Sequence, residues 1–321
     1  MRLMSRLLLA LLLAAFSAAA HAQQYPSKPI RMVVSIAAGS VTDVIMRAAA
    51  AELQPRLGQP LVIENIGGAA GILGGKTCAQ APGDGYTICV IYHSTMSFNP
   101  LLFSNLPYNP DDMVPVARLF FLVEGLFVSS AINVNSVAEL KTLAQGKPES
   151  LNFATLGEGS YPDLFLKWLN NQWGSKIVAI PYRGGGPAAQ ALAANDVQVT
   201  RFGVGNFAGV LEAGKVKALA VTSARRSASL PNVPTLAEAG VKGVDMSAWY
   251  GIYMPANTPR PVQERVHDEV NKVLAQSETR RRLDAIGGEV TPMSQAQFIA
   301  FHNAENKRYA DLVQRRGIKP D

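Results

Sequence analysis

Short runs rich in Val, Ile and aromatic residues alternate with helical stretches almost from end to end of this 321-residue chain. The apolar runs fall at 30–36, 61–65, 86–92, 126–130, 151–155, 177–182, 197–202, 216–222 and 249–254. Runs this short and this rich in Val, Ile and aromatic residues suit buried parallel strands. Helical stretches are expected at 42–57, 71–81, 136–145, 162–172, 186–194, 207–213, 259–275 and 294–316. Gly58, Gly146 and Gly174 stand as stops, and Ser136-x-x-Glu139 and Ser294-x-x-Gln297 as capping boxes. Such alternation constrains the chain to wound α/β units joined by short loops. One plan occurs twice: strand, small-residue loop, helix, near 30–58 and again near 151–174. Ligands of open α/β sheets gather beyond the carboxyl ends of strands, so two lobes with facing loops would form a cleft.

The first 22 residues have Arg2 and Arg6, an apolar run from Leu7, and Ala20-His21-Ala22 at a cleavage-like position. This is the three-part pattern of an export signal, with cleavage expected near Ala22 and a periplasmic destination. An uncleaved anchor is the alternative. No later stretch reaches the roughly 18 apolar residues of a membrane span. Removing Arg2 and Arg6 from the 30 basic residues leaves 28 against 24 acidic ones, a net charge of about +4. That excess suits a small anion and is too diffuse for nucleic acid. The clusters Arg280-Arg281-Arg282 and Arg315-Arg316 read as solvated helix faces. About 300 mature residues favour two domains. Cys78 and Cys89 are the only cysteines; in an oxidising compartment they either bridge or remain two buried thiols.

The loop Ala37-Ala38-Gly39-Ser40 leads from the first strand into a helix opened by Thr42-Asp43. A helix start points unpaired N–H groups and positive dipole forward, where an anion binds.

Rival classes find little support. No G-x-S-x-G elbow occurs, and His93, His267 and His302, the histidines beyond the leader, lie in no triad or metal motif. Gly203-Val204-Gly205-Asn206-Phe207-Ala208-Gly209 is one residue too long for a dinucleotide fingerprint and lacks the acid that should follow. A secreted hydrolase or cofactor-binding enzyme remains the alternative reading.

Ordered blocks along the mature chain resemble the solute-binding receptors of tripartite tricarboxylate transporters, the Bug family. They include Tyr25-Pro26-Ser27-Lys28-Pro29-Ile30-Arg31, Gly58-Gln59-Pro60 with Ile63-Glu64-Asn65, Gly68-Ala69-Ala70-Gly71 and Asp84-Gly85-Tyr86-Thr87. In the second half Tyr182-Arg183-Gly184, Ala213-Gly214-Lys215 and Leu230-Pro231-Asn232-Val233-Pro234-Thr235 continue the likeness. The resemblance implies a two-lobed α/β clamshell without catalysis or cofactor, each lobe a mainly parallel sheet flanked by helices. It implies a small carboxylate as ligand and permease subunits as partners; a monomer is expected. Residues 1–22 would be leader, 25–125 with 246–321 one lobe, and 126–245 the other.

By the same resemblance, one carboxylate is held by amides of facing loops. The matching residues are Ile36, Ala37, Gly39, Ser40, Thr42 and Asp43 with the His93-Ser94-Thr95 turn on one side. On the other are Gly157, Glu158, Gly159, Ser160, Tyr161, Tyr182, Gly184, Arg201 and Phe202. The first loop lacks the family's Pro, Phe and glycine run, so Ser40 becomes a candidate direct hydroxyl donor. Arg201-Phe202 stands where relatives carry an apolar residue and an aspartate. Arg201 either clamps a distal carboxylate, favouring dicarboxylates, or forms a surface salt bridge. Phe202 either presents a ring or fills the lobe core. His93, Ser94 and Thr95 either donate to the anion or satisfy their own turn. Glu158 points outward or meets a protonated ligand group. Tyr161 reads as a pocket wall, Tyr182 as a packed strand end. Together Phe202, Tyr161 and His93 point to an aromatic dicarboxylate such as terephthalate.

Overall fold

The computed structural model describes residues 25–147, 149–241 and 248–315. The leader at 1–22, and the ends expected beyond 315, lie outside them.

Two sheets organise the chain. The first has the order β11-β4-β10-β3-β1-β2, with β1 Ile30–Val34, β2 Leu61–Asn65, β3 Thr87–Tyr92, β4 Met113–Leu122, β10 Ala248–Pro255 and β11 Gly288–Glu289. The second has the order β7-β6-β8-β5-β9, with β5 Glu124–Ser129, β6 Asn152–Thr155, β7 Val178–Pro181, β8 Val199–Gly203 and β9 Val216–Val221. Both sheets are mixed rather than mainly parallel. β1 pairs in parallel with β2 and β3, and β6 with β7 and β8. The strands adjoining the crossings, β4, β10, β5 and β9, pair antiparallel because the chain enters each lobe from the other.

Strand β4 passes straight into β5 through Val123. Its N–H donates to Gly287 O at 2.7 Å and its carbonyl accepts from Val204 N at 3.0 Å, so one residue of each lobe pins the crossing. Sequence reading overlooked β4, because Pro115 and Arg118 interrupt its apolar pattern. Pro115 sits at a register shift against β10, where a missing N–H is tolerated. Arg118 is buried over the rings of Phe121 and Phe301 and donates to Thr291 O. Phe120 and Tyr250 face each other in register with ring centroids 5.4 Å apart, and Trp249 is fully buried. The aromatics beside the crossing are therefore packing.

Helices flank both sheets: α1 Val41–Leu57, α2 Ile72–Ala79, α3 His93–Ser97, α4 Asn99–Leu102, α5 Val137–Gly146, α6 Tyr161–Trp173, α7 Gly185–Ala194, α8 Ala208–Glu212, α9 Arg260–Ala275, α10 Ser277–Ala285 and α11 Gln295–Arg315. Helix α1 starts on Ser40 and stops on Gly58, a left-handed cap whose N–H returns to Gln54 O. The capping box at α11 is reciprocal: Ser294 N donates to Gln297 Oε1 at 2.8 Å, and Gln297 N to Ser294 Oγ at 3.2 Å. Cys78 and Cys89 are bridged, tying α2 to β3 inside the first lobe.

Candidate functional site

The loops after β1 and β6 are built to one template. Ser40 and Ser160 each cap a helix in extended conformation, at φ −72° and −68°. Ser40 Oγ donates to Ala37 O at 2.7 Å, and Ser160 Oγ donates to Gly157 O. The preceding glycine is left-handed in both, Gly39 at φ 76° and Gly159 at φ 70°, which a side chain would strain. Three residues past each serine an aspartate accepts that glycine's N–H: Gly39 N to Asp43 Oδ2 at 2.9 Å, Gly159 N to Asp163 Oδ2 at 3.0 Å. A base one turn on closes each unit, Arg47 on Asp43 and Lys167 on Asp163, both at 3.1 Å. Asn65 also donates to Asp43. Burial opposes ionisation of Asp43, but the Gly39 amide, Arg47 and Asn65 outweigh it and hold the carboxyl below its ordinary range.

Two of the candidate ligand groups have partners within their own loop. The Ser40 hydroxyl is engaged by its own loop rather than offered as a direct donor. The Asp43 carboxylate is likewise absorbed in shaping the loop. Glu158 is exposed and paired with Lys167, so it points outward.

Each loop meets a different loop of the opposite lobe across the seam. Ala37 N donates to Arg183 O and Ala70 N to Leu156 O, both at 3.2 Å. Val41 N, at the start of α1, donates to Asn206 Oδ1 at 2.9 Å. Three amides of the first lobe thus end on acceptors of the second. The approach is close enough to require glycines. A Cβ on Gly205 would lie 2.7 Å from Val41 Cγ2 of the other lobe, and one on Gly185 2.5 Å from Asn206 Cγ, the side chain that reaches across to Val41 N.

Two small cavities remain along the seam, each about 10 Å³, room for roughly one water. Ile36, Ser40, Thr42, Tyr92, Glu124, Phe202 and Asn206 border the first. Ile36, Gly68, Ala70, Tyr92, Tyr182 and Arg183 border the second. Gly184 packs against Ala37, its Cβ position 3.1 Å from Ala37 Cβ. A roomier hollow of about 340 Å³ lies away from the seam between α1 and α10. Its walls are largely aliphatic, including Val44, Ile45, Leu283 and Ile286, which does not suit an anion.

Beneath the seam lies a sealed polar knot. Arg201 is 0% exposed and Glu124 2%, with Arg201 Nη2 2.9 Å from Glu124 Oε2. The same guanidinium donates to Tyr161 OH at 2.7 Å and lies over the rings of Tyr161 and Phe165. Tyr92 OH donates to the other Glu124 oxygen at 3.2 Å. Burial pushes the Glu124 carboxyl up, against the pull of Arg201 and Tyr92. Arg201, for which a ligand clamp and a surface salt bridge were the alternatives, is thus engaged in a buried ion pair. Phe202, 4% exposed, joins the second lobe's core and edges the first cavity.

His93, Ser94 and Thr95 do not form a turn; they open α3 and are fully buried. The His93 ring packs against Tyr92, Tyr161, Tyr309, Phe98 and Trp249. Neither ring nitrogen has a hydrogen-bond partner among the described residues. Burial, then the Arg201 and Arg308 charges, holds His93 well below the ordinary imidazole value, so it is neutral at pH 7. Tyr161, at the first turn of α6, is fully buried between His93 and Arg201.

Sequence reasoning missed Glu124, Asn206 and Tyr92. A signal existed for the first: one acid inside the apolar run 113–129 and one arginine inside strand Val199–Gly203 are both rare without partners, which suggests that they pair.

A family model described as "Tripartite tricarboxylate transporter family receptor" matches residues 45–318. Protein BugT of Bordetella pertussis is 30% identical over 311 residues, 95% of this chain and 94% of that one. Rpa4515 of R. palustris, solved with adipate, superposes with a TM-score of 0.87 at 30% identity, covering 92% of this chain and 100% of that one. MatC (Rpa3494) from Rhodopseudomonas palustris, solved with bound malate, gives 0.85 at 32% identity, covering 90% and 100%.

Proposed function

The chain belongs to the tripartite tricarboxylate transporter receptor family, and from that premise we propose that it captures a small carboxylate between its lobes and passes it to the transporter's membrane subunits. It acts in the periplasm after loss of the leader near Ala22, as a monomer, by binding rather than catalysis. One observation carries the reading: Ala37, Val41 and Ala70 turn their N–H groups into the seam, where second-lobe acceptors cap them. A carboxylate is the small group best suited to replace those acceptors, since it accepts several N–H bonds at once and gains from the α1 dipole. The relatives solved with adipate and malate carry carboxylates of this kind.

Cavities of about 10 Å³ cannot hold such a ligand, so entry requires the lobes to part. Parting breaks at least these three hydrogen bonds, each about 0.5–1.5 kcal/mol net. Charge-assisted bonds to the incoming carboxylate, about 1.5–3 kcal/mol each, replace them. Capture is thus an exchange of internal acceptors for external ones, with the closed state reselected around the ligand. The aspartate-locked glycines keep both loops in shape during the exchange.

Isothermal titration of the mature protein with aliphatic and aromatic mono-, di- and tricarboxylates, terephthalate included, tests the proposal. Heat from at least one acid, without turnover, is expected. No heat from any acid while a neutral sugar or amine titrates would contradict it.

A further inference from the structure

Glu124 gives the site an anion of its own. It is the first residue of β5, just past the crossing, and it borders the first seam cavity beside Ser40, Thr42 and Tyr250. It is almost fully buried. Its partners are Arg201 Nη2 at 2.9 Å and Tyr92 OH at 3.2 Å. Arg201 does not border that cavity, so a guest there meets the carboxylate rather than the guanidinium. We propose that Glu124 is a specificity residue, selecting carboxylates that carry a hydroxyl and disfavouring those with a second carboxylate in the first cavity. This rests on the carboxylate-binding reading above and narrows its ligand class.

The physical case has three parts. A second carboxylate at this place would meet Glu124, already paired with Arg201, and any residual repulsion would add to the loss of its own hydration in a water-poor seam. The arginine that could offset the repulsion is already held by Glu124, Tyr161 and two aromatic faces. An ammonium would be attracted, but Arg201 already compensates the Glu124 charge, so the cation gains little against its own desolvation. A hydroxyl is cheap to desolvate and donates directly to a carboxylate oxygen. A site built around a buried acceptor rejects analogues that lack the donor. The arrangement also revises the dicarboxylate preference that Arg201 alone suggested.

The test is titration calorimetry of the mature protein with ligands matched on four- and six-carbon chains. The set comprises the plain monocarboxylate, its positional hydroxy acids, the ω-amino acid and the α,ω-dicarboxylate. At least one hydroxy acid should bind tenfold or more tighter than the plain acid, the amino acid and the dicarboxylate of its length. In Glu124→Gln the charge is gone and Arg201 is released, so the dicarboxylate should gain at least tenfold on the hydroxy acid. Should that variant fail to fold, the wild-type series decides alone. Carboxylates that bind with no hydroxyl preference, or an amino or dicarboxylic acid that binds as tightly as the best hydroxy acid, overturn the role of Glu124 and leave carboxylate binding standing. Absence of binding by every carboxylate overturns both.

Discussion

Asn206 is the side chain through which closure can be adjusted without touching the ligand loops themselves. Its Oδ1 accepts from Val41 N at 2.9 Å, while its Nδ2 donates to Gly203 O at 3.0 Å within its own lobe. Asn206→Ala removes one interlobe hydrogen bond, worth about 1 kcal/mol, and leaves the Val41 amide to water or ligand. The closed form should lose about fivefold in population relative to the open form. Because Asn206 competes with the guest for the same amide, carboxylate affinity should rise by up to about fivefold. Asn206→Asp does the opposite: a fixed anion at the α1 start mimics the guest, and affinity should fall at least tenfold. Calorimetry gives the affinities, and small-angle scattering of the unliganded variants gives the shift toward the open form. If Asn206→Ala instead weakens carboxylate binding tenfold while scattering is unchanged, Asn206 holds the ligand and the competition argument is wrong.

Arg201→Met would leave the Glu124 carboxylate buried without its cation, costing about 3–5 kcal/mol. For a chain of this size the melting temperature should drop by roughly 10 °C. Glu124 is raised above its ordinary value of 4.5 even in the wild type, and more so without Arg201. Its contribution is present below that value and lost as pH rises through the folded one, so the deficit should shrink toward pH 4.5 in acid melts. Asp43→Asn should cost about 1–2 kcal/mol at pH 7 by releasing Arg47. Because the folded Asp43 pKa is lowered, its stabilisation exists above 3.8 and fades as pH falls through the folded value, so mutant and wild type should converge in strong acid. Replacing both Cys78 and Cys89 by alanine should cost roughly 2–3 kcal/mol in denaturant melts, since the bridge closes a short loop between buried positions. Equal melting with and without the bridge would contradict that.

The elements that sequence revealed are those governed by neighbours in the chain. Ser40 with Gly58, and Ser294 with Gln297, mark helix ends because caps are local. Strands β1, β2 and β3 announce themselves by short runs rich in Val and Ile, despite Arg31 in β1 and Glu64 in β2. What escaped depends on distant partners. Arg118 looks foreign to a strand until Phe301 and Thr291 arrive from the far end of the chain. His93-Ser94-Thr95 has turn-forming side chains, yet tertiary packing draws it into a buried helix. The loops at Ser40 and Ser160 were legible as helix starts. The capping of first-lobe amides by Arg183, Leu156 and Asn206 was not, because it exists only when two lobes meet.

Backbone amide chemical shifts during a carboxylate titration test the central claim most directly. Ala37, Val41 and Ala70 should move together and saturate with the calorimetric affinity, because the ligand replaces Arg183 O, Asn206 Oδ1 and Leu156 O at those three N–H groups. A carboxylate that binds while all three amides stay in place would contradict the account.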